Sequence, residues 1–171
     1  MGARILEKDV AIVGVGQSEV GRPSSRSAME LTVDAALEAI ADAGLTPKDI
    51  DGVCSWPGDN ANGSSFSPVG PLAVLSMLGL QCNWFSGGYE AAGPLAGVMN
   101  GAMAIATGLA KNVLVFRTIT ESSNRLSGSK DQSLAAKSGA RDGNFMWQWC
   151  TPFNVLSVVN ITAMYAHSHM R

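Results

Sequence analysis

Short apolar runs closed by glycine alternate with longer stretches of helical spacing along this chain. Val10–Val15 reads as a strand buried on both faces, and Asn112–Phe116 as another. Continuous apolarity of this kind is expected where helices cover both sides of a parallel sheet. Ile50–Cys54 leads into a further strand, and Gln81–Ser86 is a candidate for one more. Between them lie a helix from Ala28, a short apolar helix over Pro71–Leu80, and the stretch Ala91–Gly108. The order strand, helix, strand, helix, strand, helix, strand predicts an α/β layered fold with a mixed, largely parallel sheet and a buried central helix.

Local signals sharpen the boundaries. Ser27 is an N-cap residue with Glu30 three positions on, the pattern of a capping box. Met29, Val33, Ala36 and Ile40 follow at helical spacing, with Asp34, Glu38 and Asp42 elsewhere on the wheel. Gly44 is placed to end that helix in the left-handed region. Residues 57–68 are rich in Gly, Asn, Ser and Pro and read as a loop, and so does the polar run from Ser122 to Gly143. A dense aromatic cluster, Phe145–Trp149, precedes a helical pattern from Val155 to Arg171. The last helix carries no stop signal, so the chain is expected to end inside a larger protein. The expected division is residues 1–121 as one α/β half, and 122–171 as a loop segment leading into a truncated helix.

Composition excludes several roles. Hydrophobic residues make up 46% and charged residues 15%, which suits a packed core rather than a disordered chain. The net charge is −2 and the basic residues are scattered, so no nucleic-acid footprint is present. Cys54, Cys82 and Cys150 are odd in number and widely spaced, which suggests neither a zinc site nor a disulfide framework. Free thiols point to a reducing, cytoplasmic setting. Met1-Gly2 resembles a myristoylation start, but Leu6 stands where Ser or Thr is required. Ala91–Ala110 is long and apolar, yet Gly93, Pro94, Asn100 and Gly101 interrupt it, so a buried helix is expected rather than a membrane span.

Gly14-Val15-Gly16 follows a strand, but the next glycine is Gly21 and Pro23 intervenes before any helix. This departs from a dinucleotide fingerprint and fits a tight turn. The more informative element is the glycine turn at Gly87-Gly88 followed by a helix of small residues. The N–H groups that open such a helix favour negative charge and suit a thiolate or an oxyanion; a merely packed helix has the same composition. His167 and His169, two apart on the last helix, face different sides and read as a solvated helix end rather than a metal pair.

Val10–Gly16, Asp42-Ala43-Gly44-Leu45, Asp49–Val53, and Ala104–Gly108 before Val113-Leu114-Val115 together resemble thiolases. The similarity runs to about Tyr165 and is greatest to the sterol carrier protein X-type, lipid-transfer branch. The Trp147–Phe153 and Tyr165–Met170 stretches share that character. Order and spacing carry the resemblance rather than any single motif. It implies a thiolase-like fold of two similar halves, of which this chain is most of the first, and a homodimer. It also implies an acyl-CoA thioester as substrate, with no tightly bound cofactor. Relatives of this kind work with a small zinc-ribbon and OB-fold protein, so any metal is expected in that partner.

In thiolases the nucleophilic cysteine opens the central helix. The family's spacing, counted back from Gly108, lands on Ala91 within Gly88-Tyr89-Glu90-Ala91-Ala92-Gly93. A methyl group forms no acyl-enzyme, so covalent thiolysis there is not expected. The resemblance implies instead the aldolase-type members, which cleave a carbon–carbon bond of a β-hydroxyacyl-CoA with a sterol-type side chain. That chemistry needs a general base and an enolate-stabilising site. The resemblance implies that the family's acid–base groups lie mostly in the second half, which this chain lacks; within this chain Tyr89 and Glu90 are the candidates, each with a plain alternative: packing for Tyr89 and a favourable first-turn charge for Glu90. Ala91, Ala92 and Gly93 are expected to line the substrate. Trp147, Trp149 and Phe153 line either an acyl tunnel or an apolar interface. Two other readings stand beside the lyase: a thiolase-type acyltransferase using Cys82, and a non-catalytic acyl-CoA or lipid-binding scaffold.

Overall fold

A computed structural model describes residues 10–21, 24–58, 66–88, 90, 92–120, 123, 151–153 and 158–170. They fall in two compact units, Met1–Ser127 and Gly128–Arg171.

The first unit is α/β. Helix α1 spans Ala28–Asp42, and its start is the expected capping box. The Glu30 N–H donates to Ser27 Oγ at 3.2 Å, and the Ser27 N–H returns a bond to Glu30 Oε2 at 2.8 Å. The Ser27 hydroxyl, and then its N–H, hold the Glu30 carboxyl below the usual carboxylate range. Gly44 closes the helix with φ +70°. Ser27→Ala removes the acceptor for an orphan N–H and is expected to cost about 1 kcal/mol, read as a lower denaturation midpoint at unchanged slope.

Three parallel strands form the sheet: β1 (Gly52–Ser55), β2 (Trp84–Gly87) and β3 (Val113–Phe116), in the order β2-β1-β3. Asp51, just before β1, ties their N-terminal ends together. Its carboxylate accepts from the Lys111 and Asn112 N–H groups at 2.8 Å each, and its carbonyl accepts from the Asn83 N–H at 2.9 Å.

Helix α2 (Pro71–Leu78) connects β1 to β2, and helix α3 (Pro94–Ala106) connects β2 to β3. Alternate residues of each strand face opposite sides. Val53 and Leu114 join Ile40 of α1 and Val74 of α2 in the main buried cluster. On the other side, Cys54, Val113 and Val115 meet α3. A methyl group added at Gly97 would lie 3.2 Å from Val115 Cγ1 and 3.8 Å from Cys54 Sγ, and one at Gly101 would lie 3.2 Å from Val113 and Val115. Glycine there lets the helix lie close on the strands.

Three sequence expectations are corrected. Val10–Val15 is not a strand and is not buried: Ile12 is 76% and Val15 69% exposed. The segment runs along α1, with the Val15 and Gln17 N–H groups donating to Asp42 and Glu38 carboxylates at 2.9 and 3.0 Å. Gly14 and Gly16 press on the Ala39 and Ala35 carbonyls, where a side chain would collide. Its backbone donors are satisfied by the acidic side of α1, not by a neighbouring strand. The described sheet is also wholly parallel rather than mixed. Finally, α3 is buried on one face only. Ala96, Gly97, Gly101 and Ala104 pack inward, whereas Leu95 and Met99 are 69% and 59% exposed. Small side chains sit against the sheet and the large ones project outward.

In the second unit, a 3-10 turn at Thr151–Phe153 is described, and α4 spans Val158–His169. The expected loop over Ser122–Gly143, apart from Ser123, and the aromatic cluster Phe145–Trp149 lie outside the described residues. No helix among the described residues is long and apolar enough to cross a membrane.

Candidate functional site

The chain leaves the C-terminal ends of β1 and β2 in opposite directions, toward α2 on the Val53 side and toward α3 on the Cys54 side. Adjacent parallel strands whose connections diverge leave a crevice between them, the usual place for a ligand in an open α/β sheet. The two exits come very close at their base. A Cβ added at Gly87 would lie 2.8 Å from Gly58 Cα, and Gly58 itself has φ +84°.

Glu90 stands at this divergence, half-buried, between β2 and α3. Its backbone carbonyl accepts from Trp56 Nε1 at 3.0 Å and from the Gly93 N–H at 3.1 Å. Its carboxylate Oε1 accepts from Asn100 Nδ2 at 2.9 Å. Trp56 follows β1 directly, so this contact joins the two strand exits. The Arg117 guanidinium, just after β3, lies 4.7 Å from the Trp56 ring centre and 4.5 Å from that of Phe66. Trp56 and Phe66 meet edge to face at 6.0 Å. A cation on two aromatic faces fixes both rings and brings a positive charge beside the crevice.

Cys54 lies beneath this group, buried against α3. Burial, and next the Glu90 carboxylate, push its thiol up to about 11. A thiol held neutral in this way is a poor nucleophile. Because the folded value is raised, this contribution to stability is present below the ordinary 9.0 and is lost as pH climbs through about 11. Cys82 is at the opposite, N-terminal end of β2, half-buried, on an open groove with Leu72, Leu75 and Phe85. Burial and the Asp51 charge raise its thiol too. Brief iodoacetamide treatment at pH 8 is expected to label Cys82 well before Cys54, read by peptide mass mapping.

Of the sequence-derived site residues, Glu90, Ala92 and Gly93 fall together at the mouth of α3. Ala92 is exposed, and Gly93 takes φ +64° to start the helix. Tyr89, Ala91, Trp147 and Trp149 lie outside the described residues. Phe153 belongs to the second unit and is 78% exposed. Trp56 and Asn100 were not among the sequence candidates. Asn100 carried a usable signal, as the one polar side chain in the sequence of α3. No cluster of His, Cys, Asp and Glu suited to a metal occurs among the described residues.

No family model matches the chain. Among curated proteins, it is 32% identical over 169 residues to a steroid side-chain-cleaving aldolase of Thermomonospora curvata. It is 31% identical over 167 residues to a 17-hydroxy-3-oxo-4-pregnene-20-carboxyl-CoA lyase of Mycobacterium tuberculosis. The relatives are an aldolase and a lyase. These alignments cover 97% and 95% of this chain but 40% and 41% of the relatives, so the chain spans about two fifths of their length. A solved structure, the Ltp2-ChsH2(DUF35) aldolase, superposes with a TM-score of 0.71 at 30% identity, covering 94% of this chain and 37% of that one.

Proposed function

We propose that this chain is part of a thiolase-fold aldolase that cleaves a steroid side chain held as a CoA thioester. The observation that carries the reading is Glu90. It is a half-buried carboxylate held at the strand divergence, while Cys54 lies beneath it with a thiol raised far above neutrality. Such a site can move a proton and is poorly equipped for acyl transfer. The similarity to an aldolase and a lyase supports the same division of labour.

The reaction needs no redox partner. The Glu90 carboxylate takes the proton of a hydroxyl β to the thioester carbonyl. The oxygen electron pair forms the new carbonyl, the Cα–Cβ bond breaks, and its electrons pass into the thioester enolate. The carboxylic acid then returns the proton to Cα, leaving a steroid ketone and a shortened acyl-CoA. The N-terminal end of α3 faces the enolate oxygen and favours its charge. Ala92 and Gly93, small residues at the mouth of α3, leave room for the thioester. Tyr89 is a second proton-transfer candidate beside Glu90. The working unit is a homodimer of two-half subunits, with residues 1–121 as part of the first half, joined by a small zinc-ribbon and OB-fold partner in the cytoplasm. No tightly bound cofactor takes part.

The test uses the full-length protein with its partner and a steroid CoA thioester bearing a hydroxyl β to the carbonyl. Chromatography with mass detection should show equal amounts of steroid ketone and shortened acyl-CoA. Binding of the thioester without either product would favour a non-catalytic carrier instead.

A further inference from the structure

Asn100 is the sole polar side chain in the α3 sequence, and it interrupts a run of small and apolar residues. Asparagine is a weaker helix former than the alanine or leucine that could stand there, and a half-buried amide left unpaired would cost more. Asn100 is paired, and its partner lies outside the helix: Nδ2 donates to Glu90 Oε1 at 2.9 Å, across ten residues of chain. The backbone of Glu90 is already fixed by Trp56 and by the Gly93 N–H. The contact with Asn100 therefore adds one thing, the direction of the carboxylate.

We infer that Asn100 is a positioning residue, which orients the Glu90 carboxylate for proton transfer by tying one of its two oxygens. This rests on the aldolase reading above. Among the described residues only Oε1 is tied, so Oε2 is the oxygen that meets the substrate hydroxyl. Gly88 keeps the space beside the carboxylate open. A Cβ there would stand 3.3 Å from Oε1 and 3.7 Å from Oε2. A carboxylate free to rotate would spend most of its time outside attack geometry, and small misplacements of a reacting group carry large losses of rate.

The experiment is a double-mutant cycle in the full-length protein with its partner, assayed on the same steroid CoA thioester. Asn100→Leu keeps the size and raises helix propensity, so the helix should form. It should lower kcat about 10- to 100-fold with KM little changed. Asn100→Gln, which keeps an amide donor, should retain more of kcat than Asn100→Leu. Glu90→Gln removes the charge but can still accept from Asn100, and adding Asn100→Leu to it should cause no further loss. The inference is overturned if Asn100→Leu lowers only the melting temperature, or if its loss in kcat multiplies in full with that of Glu90→Gln. A wild-type protein that releases no ketone sinks the aldolase reading and this inference with it. An active wild type that ignores Asn100→Leu sinks the inference alone.

Discussion

Glu90→Gln should lower kcat for steroid thioester cleavage by about 10²- to 10⁴-fold, the range in which a positioned general base acts. Gln is nearly the same size, and its amide oxygen can still accept from Asn100 Nδ2, so the local packing should survive. The backbone bonds from Trp56 and Gly93 do not involve the side chain at all. The loss should therefore appear in kcat, with KM and the melting temperature close to wild type. A variant with wild-type turnover would move the base elsewhere and leave Glu90 as a structural carboxylate at a helix start.

The second large effect concerns the backbone. Gly87→Val should cost about 1–3 kcal/mol and take most of the turnover with it. The added Cβ would lie 2.8 Å from Gly58 Cα and 3.3 Å from the Ser55 carbonyl oxygen, so the clash is with main chain that no rotamer change relieves. Relief requires the two strand exits to part, which carries Trp56 and Glu90 away from each other. Denaturant unfolding and kcat measured on one preparation decide the point. A variant with wild-type stability and turnover would mean that the exits are not tightly apposed.

Much of the fold was legible in the sequence because local signals specify it. Ser27, Glu30 and Gly44 marked the ends of α1, and the segments at Ile50–Cys54, Gln81–Ser86 and Asn112–Phe116 each hold a parallel strand. Val10–Val15 misled because apolarity gives no partner. The Val15 and Gln17 N–H groups go to Asp42 and Glu38, on the side of α1 away from its apolar residues, and hydropathy reports no such pairing. Hydropathy also hid the two faces of α3, which differ in side-chain size rather than polarity. The site was legible only in part. The glycine turn and the absence of cysteine in Gly88–Gly93 located Glu90. The contacts that hold it come from Trp56, 34 residues earlier, and Asn100, ten later, and periodicity does not report such pairs.

The proposed cleavage proceeds without a covalent acyl-enzyme. The most direct test is the intact mass of the full-length protein, quenched in acid during turnover of the steroid CoA thioester. Unchanged protein mass alongside accumulating ketone is the expected result. An adduct of acyl mass mapping to Cys54, Cys82 or Cys150 would contradict it and restore acyl transfer as the activity.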